Sequence, residues 1–303
     1  MSADFVAVDW GTSSFRLWVM GRDGTVAAES RSAEGMQHCA EAGFAPVLDA
    51  HLARTKGQGL PVLICGMAGA RQGWFEAPYA DLPAPVSALA GQAVRLPETL
   101  TGGRDIRILP GLAQRDPARP DVMRGEETQL LGLAAGSGAE GLVCMPGTHC
   151  KWAHLAGGAV VDFQSFLTGE LFDLLSRHSI LRHAMPEGGR ILPDAPGFLA
   201  AVDEALDDPG AVMGQLFPLR AGNLLGFRDA QACFARLSGL LIGAETGRQV
   251  ASGTDVILVG QAGLGPLYGA ALARAGVTIH AADAEQATRQ GLVAAAGEIW
   301  GWV

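Results

Sequence analysis

The chain is predicted to be an α/β protein built from two similar lobes. Three observations lead there. A strand-turn-strand unit with Gly-Thr at its tip occurs twice, each copy is followed by helical spacings alternating with short apolar runs, and 303 residues suit two domains of about 150. In the first copy residues 5–9 form a short apolar strand, Gly11-Thr12-Ser13-Ser14 a tight polar turn and residues 15–20 a returning strand. Asp23-Gly24 then turns the chain again, a dipeptide favoured where a two-residue hairpin needs positive φ. In the second copy residues 142–145 lead into Gly147-Thr148-His149, residues 150–155 return, Gly157-Gly158 turns and residues 159–166 follow.

The other elements fall between and after these copies. Residues 45–56 place Val47, Leu48 and Leu52 at helical spacing. Residues 61–65 are a continuous apolar run ending at Gly66, as a parallel strand buried on both faces would be, and residues 106–109 before Pro110-Gly111 read the same way. The first half is then βββαβαβ, the order of a ribonuclease-H-like unit. The polar, proline-punctuated stretch 115–120 is expected to connect the halves, giving an N-terminal lobe 1–120 and a C-terminal lobe 121–303. In the second lobe residues 126–135 form a helix with acidic residues in the first turn, where the helix dipole favours them. Residues 169–181 form a helix with Leu171, Leu174 and Leu175 on its apolar face, and 186–196 a loop rich in Pro and Gly. A long helix at 228–248, strands at 255–259 and 277–281, a helix at 264–275 and a final helix from 284 complete the repeat. That last segment, 284–303, is placed to pack back on the first lobe.

Composition narrows the partners. With 49% hydrophobic and 17% charged residues there is ample material for two cores. A net charge of -9 and a pI near 5.2 argue against nucleic acid or an acidic membrane. An anionic ligand must then be held locally, by backbone N–H groups and a few placed cations. Five cysteines without Cys-x-x-Cys spacing exclude a disulfide framework or zinc site and suit a reducing cytoplasm. No basic leader and no apolar run near the ~20 residues of a membrane span is present, so a cytoplasmic protein is expected, with a homodimer as the commonest assembly.

The two Gly-Thr turns carry the chemistry. Such a turn exposes successive N–H groups with no bulky Cβ in the way, which is how a chain cradles phosphate oxygens. One alone reads as a plain hairpin tip; two in matching places point to a polyphosphate. Asp9, at the strand end beside the first turn, either caps it or holds Mg²⁺ on the polyphosphate through water. The second turn has Met145-Pro146 there instead. Arg16 and Lys151 follow the two turns, either as solvated strand charges or as cations that steady a transferring phosphoryl group or a substrate carboxylate. His149 lines the second turn or caps it. In Met123-Arg124-Gly125-Glu126-Glu127-Thr128 two carboxylates open a helix. Acidic residues are common in a first helical turn, yet one of these could take the proton from a hydroxyl attacking a γ-phosphate. Gly260-Gln-Ala-Gly263-Leu-Gly265 lies between a strand and a helix, where a ligand can approach the backbone closely or the chain simply turns. Gly136-Ser-Gly138-Ala-Glu-Gly141 follows a helix and precedes a strand, the reverse of a dinucleotide site.

These residues resemble the actin, Hsp70 and sugar-kinase superfamily. Asp9-Trp-Gly-Thr12 is similar to its first phosphate motif, Pro146-Gly-Thr148 to its second and Gly260 to Gly263 to its adenosine motif. Glu127-Thr128 falls where sugar kinases place a catalytic Asp-Thr; Glu in place of Asp leaves the base open between Glu126 and Glu127. Met123-Arg-Gly-Glu-Glu-Thr-Gln-Leu130, Met145-Pro-Gly-Thr-His-Cys-Lys-Trp152, Thr168-Gly-Glu-Leu171, Leu237-Ser-Gly-Leu-Leu-Ile-Gly-Ala-Glu245 and Gly73-Trp74 with Ala77-Pro-Tyr79 narrow the resemblance to the 2-dehydro-3-deoxygalactonokinases. It runs from Asp9 to the last helix and is weakest over 183–216. The resemblance implies two ribonuclease-H-like lobes around a central nucleotide and substrate cleft that closes to exclude water. It implies ATP as co-substrate with Mg²⁺, and transfer to the 6-hydroxyl of 2-dehydro-3-deoxy-D-galactonate in galactonate breakdown. The gluconate-derived epimer is the competing substrate, and a non-catalytic sugar or nucleotide sensor the reading from another class. The nucleotide would then meet Asp9, Gly11, Thr12, Ser13, Gly147, Thr148, His149, Gly260 and Gly263, with Asp9 placing the metal. Arg16, Gly35, Met36, Arg71, Trp74, Arg124 and Lys151 would serve the anionic sugar acid, although Trp74 reads equally as a core aromatic.

Overall fold

The computed structural model of the chain describes residues 3–260 and 263–302. Its contacts divide it into two compact units, Met1–Glu140 with Ala153–Phe163 and Ala284–Val303, and Gly141–Trp152 with Gln164–Asp283.

In the first unit β1 (Phe5–Trp10), β2 (Phe15–Met20) and β3 (Val26–Ser32) form an antiparallel meander, followed by α1 (Met36–Ala42), α2 (Phe44–Thr55) and β4 (Val62–Gly66). Strand β4 runs parallel to β1, with Asp9 opposite Cys65 and Trp10 opposite Gly66. All five of its residues are buried, as the continuous apolar run requires of a central strand. Next come β5 (Tyr79–Asp81), β6 (Ala84–Pro85), α3 (Val86–Gly91), β7 (Val94–Arg95), α4 (Glu98–Thr101), β8 (Ile106–Ile108), β9 (Gly111–Gln114), β10 (Asp121–Met123) and α5 (Glu126–Ser137). The main sheet has the order β3-β2-β1-β4-β8-β7, and β10-β9-β5 form a smaller one. Successive side chains of a strand point to opposite faces, so β1 feeds two cores. Val6, Val8 and Trp10 pack with Phe15, Leu17, Leu48 and Leu52, while Phe5 and Ala7 pack with Trp18, Met20 and the C-terminal helix.

The stretch 115–120, expected to connect the halves, is instead the loop of the β9–β10 hairpin, in which Asp121 pairs with Gln114. Its prolines and polar residues mark a tight reversal within one unit rather than a linker.

The remaining elements are β11 (Gly141–Met145), β12 (Cys150–Ala156), β13 (Ala159–Phe166), α6 (Thr168–His178), α7 (Pro196–Asp207), α8 (Val212–Leu224), α9 (Ala230–Gln249), β14 (Asp255–Gly260), α10 (Gly265–Arg274), β15 (Thr278–Asp283) and α11 (Ala284–Trp300). Strand β14 is parallel to both β11 and β15. The order β15-β14-β11-β12-β13 repeats β8-β4-β1-β2-β3, so the duplicated strand-turn-strand units belong to a duplicated sheet topology. Helices α7 and α8 were not foreseen. Pro196 sits harmlessly in the first turn of α7, and Pro218 lies inside α8, so both read in sequence as breakers. Helix α7 buries Phe198, Ala201, Val202 and Ala205 at the spacing of one helical face.

Helix α11 returns to the first unit and packs along α5. That packing draws α5 into the first unit, twenty residues beyond the lobe boundary expected at 120. It also fixes the start of α5, where the acidic pair sits.

Candidate active site

The functional side chains fall into two groups, one in each unit. In the first, the turn after β1 is closed by Gly11 N–H donating to Ser14 O at 2.8 Å. Gly35, ahead of α1, lies directly against it: a β-carbon there would sit 2.5 Å from both Ser13 N and Thr12 O. Met36 and Gln37 N–H groups donate to Gly11 O and Thr12 O at 2.9 and 3.0 Å, so the turn's carbonyls are satisfied by the helix start. Met36 itself packs on the core.

Asp9 ends β1 opposite Arg16, whose Nη1 approaches Oδ2 at 3.5 Å. Burial pushes the Asp9 carboxyl up, Arg16 opposes this, and the nearby carboxylates Glu126 and Glu285 add to it. A divalent cation would restore the ionised form. The donor set is a single hard carboxylate, which suits a mostly hydrated Mg²⁺ shared with phosphate oxygens. Among the described residues no group of three or more His, Cys, Asp or Glu could hold a metal by itself.

Glu127 is fully buried in the first turn of α5. Gly125 N–H donates to its Oε2 at 2.5 Å and Thr128 Oγ1 to its Oε1 at 3.1 Å. Burial, reinforced by Glu126, pushes its carboxyl up to about 8. The Gly125 corner abuts the end of β4: a β-carbon on Gly125 would lie 3.6 Å from Gly66 Cα, and one on Gly66 would lie 3.6 Å from Asp9 Oδ1. The Cys65 thiol between them is pushed up by burial and by the charges of both Asp9 and Glu127. Arg124 completes this group. Its Nη2 donates to Ala77 O at 2.8 Å and its guanidinium lies 4.4 Å from the Tyr79 ring centroid, yet Nε and Nη1 are buried without a hydrogen-bond partner. Trp74 is half-buried and stacks on Phe44 at 9° with centroids 5.9 Å apart, which anchors one face in the core. Arg71 does not join the group; its side chain is 81% exposed and pairs with Glu76.

In the second unit the turn Gly147-Thr148-His149 is backed in the same manner. A β-carbon on Gly169, in the first turn of α6, would sit 2.6 Å from Gly147 O, and Glu170 N–H donates to Thr148 O at 3.0 Å. Gly35 and Gly169 hold equivalent places, each after the third strand of its repeat and against the turn after the first. The His149 ring is held by Glu170 at 2.6 Å. Lys151 is only 4% exposed and donates to His149 O at 3.3 Å, which rules out a solvated strand charge.

Beside this turn lies a cavity of about 490 Å³, lined by Gly147, Thr148, Phe172, Phe234, Leu264 and Tyr268 among others, a size that suits a nucleoside. Its wall is tied together by Glu245 of α9, which accepts hydrogen bonds from Trp152 Nε1 at 2.7 Å, Tyr268 OH at 2.8 Å and the Thr168 hydroxyl. Sequence reasoning gave Glu245 no role. The available signal was a lone carboxylate closing an apolar helical stretch. Gly260 ends β14 and Gly263 has φ +99°; residues 261 and 262 lie outside the described residues.

Two outcomes follow from this geometry. Gly169→Ala forces α6 away from the second turn and is expected to break the Glu170 N–H to Thr148 O hydrogen bond, read as faster amide exchange at Glu170, while melting shifts by only a few degrees. Glu127 has a folded-state pKa above its ordinary 4.5, so the stability it permits is complete below pH 4.5 and is lost as pH rises through about 8. Glu127→Gln is therefore expected to flatten the pH dependence of denaturant stability between those values, gaining a few kcal/mol over the parent at the alkaline end.

Comparisons with known proteins identify the family. The model of the 2-keto-3-deoxy-galactonokinase family matches residues 9–295. A Rhizobium meliloti (strain 1021) protein named "Probable 2-dehydro-3-deoxygalactonokinase" is 53% identical over 98% of this chain and 97% of its own length. The Escherichia coli (strain K12) 2-dehydro-3-deoxygalactonokinase is 34% identical over 96% and 97%. A crystal structure of a Sinorhizobium meliloti protein carrying that enzyme name superposes with a TM-score of 0.91 at 53% identity, covering 98% of this chain and 97% of that one. Component A of the Acidaminococcus fermentans (R)-2-hydroxyglutaryl-CoA dehydratase, at 16% identity and a TM-score of 0.51, shares the fold alone. The chain thus belongs to the 2-keto-3-deoxy-galactonokinase family, ATP-using phosphotransferases of galactonate catabolism that act on an alcohol group.

Proposed function

We propose that this kinase transfers the γ-phosphoryl group of ATP to the 6-hydroxyl of 2-dehydro-3-deoxy-D-galactonate, with Glu127 as the general base. The observation that carries the reading is a buried carboxyl pushed up to about 8, three residues from a guanidinium with two unsatisfied donors. A base whose pKa lies near the working pH combines adequate ionisation with strong proton affinity. Glu127 takes the hydroxyl proton as the oxygen attacks phosphorus, and the hydrogen bonds from Gly125 and Thr128 hold its carboxylate in one orientation. Glu126 keeps the field at this point negative and so maintains the high proton affinity of its neighbour.

Arg124 is assigned to the substrate carboxylate, because buried guanidinium nitrogens without partners fit a bidentate anion. Trp74 supplies an apolar face to the deoxy carbon, and Arg16 balances Asp9. Gly11, Thr12 and Ser13 in one unit and Gly147, Thr148 and His149 in the other offer backbone N–H groups to phosphate oxygens. Lys151 is assigned to phosphate, since it lies beside the second turn, and the neighbouring cavity takes the nucleoside. Asp9 would hold Mg²⁺ through water; when bound, the ion neutralises charge on the phosphates. The two lobes expected at 1–120 and 121–303 are proposed as the copies of the duplicated repeat, with the first extended past 120 to include α5. A cytoplasmic location is supported by five buried cysteines, all free. No described helix is long and apolar enough to cross a membrane. A homodimer is also proposed, to cover the exposed Met213, Phe217 and Phe227.

A coupled assay of ADP release with the galactonate- and gluconate-derived epimers tests the reading, and absence of substrate-dependent ADP with either one refutes it. Glu127→Gln is expected to lower kcat at least tenfold, about 1.4 kcal/mol of barrier, and Glu126→Gln to lower it less. In the parent, kcat should rise with pH toward about 8 and flatten beyond. Lys151→Met is expected to raise KM for ATP several-fold while leaving KM for the sugar acid within twofold.

A further inference from the structure

Glu34 immediately precedes the glycine that backs the first phosphate turn, and its carbonyl, its N–H and one carboxylate oxygen are each fastened. Its carbonyl accepts from Trp10 Nε1 at 3.1 Å, its N–H donates to Ser32 Oγ at 3.2 Å and its Oε2 meets His51 Nε2 at 2.9 Å. His51, on α2, is completely buried. Its ring lies 4.3 Å from that of Phe15, and its Nδ1 meets Ser30 Oγ at 2.8 Å. A carboxylate can only accept, so Nε2 carries the proton toward Glu34 and Nδ1 takes the hydroxyl hydrogen of Ser30. The chain Ser30–His51–Glu34 thus has a single sense and holds one carboxylate in one orientation.

The carboxylate is not fully enclosed. The Glu34 side chain is 34% exposed, and His38 Nε2 approaches Oε1 at 3.8 Å. The hydrogen bonds from His51 and Ser32 lower the carboxyl below its ordinary value, so it stays charged. A fixed negative charge next to a polyphosphate turn opposes phosphate binding, and a tie between β3 and α2 has no need of it. It has a use if the neighbouring ligand presents hydroxyl donors. Recognition of this kind is selective, because an epimer that moves the hydroxyl leaves a desolvated carboxylate unpaired.

Building on the sugar-acid reading above, we infer that Glu34 accepts a hydrogen bond from a secondary hydroxyl of the substrate and sets epimer preference. His51, with Ser30, is the positioning residue that aims it. The measurement is the ratio of kcat/KM for the two epimers, which differ in the configuration of one hydroxyl, together with KM for ATP. Glu34→Gln is expected to bring the ratio at least tenfold closer to one, with KM for ATP within twofold. His51→Phe, which keeps the ring, should move the ratio in the same direction, and the double variant should be no worse than Glu34→Gln alone. Ser30→Ala, a milder lesion, should shift the ratio less but in the same sense, and it carries the test if His51→Phe does not fold. Equal losses on both epimers, or a raised KM for ATP at an unchanged ratio, overturn the inference and mark the cluster as a structural tie. No sugar-acid-dependent ADP from the unaltered enzyme would sink the substrate reading along with it, whereas an active enzyme with an unchanged ratio sinks the inference alone.

Discussion

In each unit a helix start presses its backbone against the Gly-Thr turn, and the arrangement of that turn depends on it. Gly35 presses on the Thr12-Ser13 turn and Gly169 on the Gly147-Thr148 turn, at separations that leave no room for a β-carbon. These contacts let the helix after the third strand take up the carbonyls of the turn after the first. A turn meant for phosphate must keep its N–H groups available and its carbonyl oxygens occupied, and a helix start pressed against it does the second task. The recurrence of the device at equivalent places in two repeats ties it to the fold rather than to a local accident of sequence.

Two buried carboxylates and a half-buried one show how burial alone does not determine a role. Glu245 receives three hydrogen bonds from different elements around the cavity and acts as a structural junction. Glu127 receives two, has an acidic neighbour and is pushed up to about 8, well above the ordinary carboxyl range. Asp9 is raised by burial while Arg16 stays at 3.5 Å, and added positive charge would relieve it. Buried charge is costly unless paired, and the degree of pairing separates the junction from the groups available for chemistry.

Strand β1 connects these features. Its alternate residues feed the cores on both faces of the sheet, so its end is rigidly placed, and Asp9 is presented there beside Cys65 and Gly66 of β4. The start of α5 is fixed independently by α11, the last helix of the chain. Two elements far apart in sequence thereby place the charges of Asp9 and Glu127 where both act on the Cys65 thiol.

The sequence by itself determined the duplicated strand-turn-strand units, the parallel strands, the long helices and the residue types at the two Gly-Thr turns. Each of these rests on a local signal: alternation, a continuous apolar run, or Gly-Thr between strands. It also placed Glu126 and Glu127 at a helix start, but could not choose between them. The structure separates the two by burial, with Glu127 enclosed and Glu126 less so, in a helix that packs along α11 from the far end of the chain. Tertiary structure likewise decided that Lys151 is enclosed and Arg71 solvated, that 115–120 closes a hairpin, and that Glu245, Glu34 and His51 belong to organised polar clusters. Such facts depend on which surfaces meet, and a spacing pattern records only which face of an element is apolar, not what will cover it.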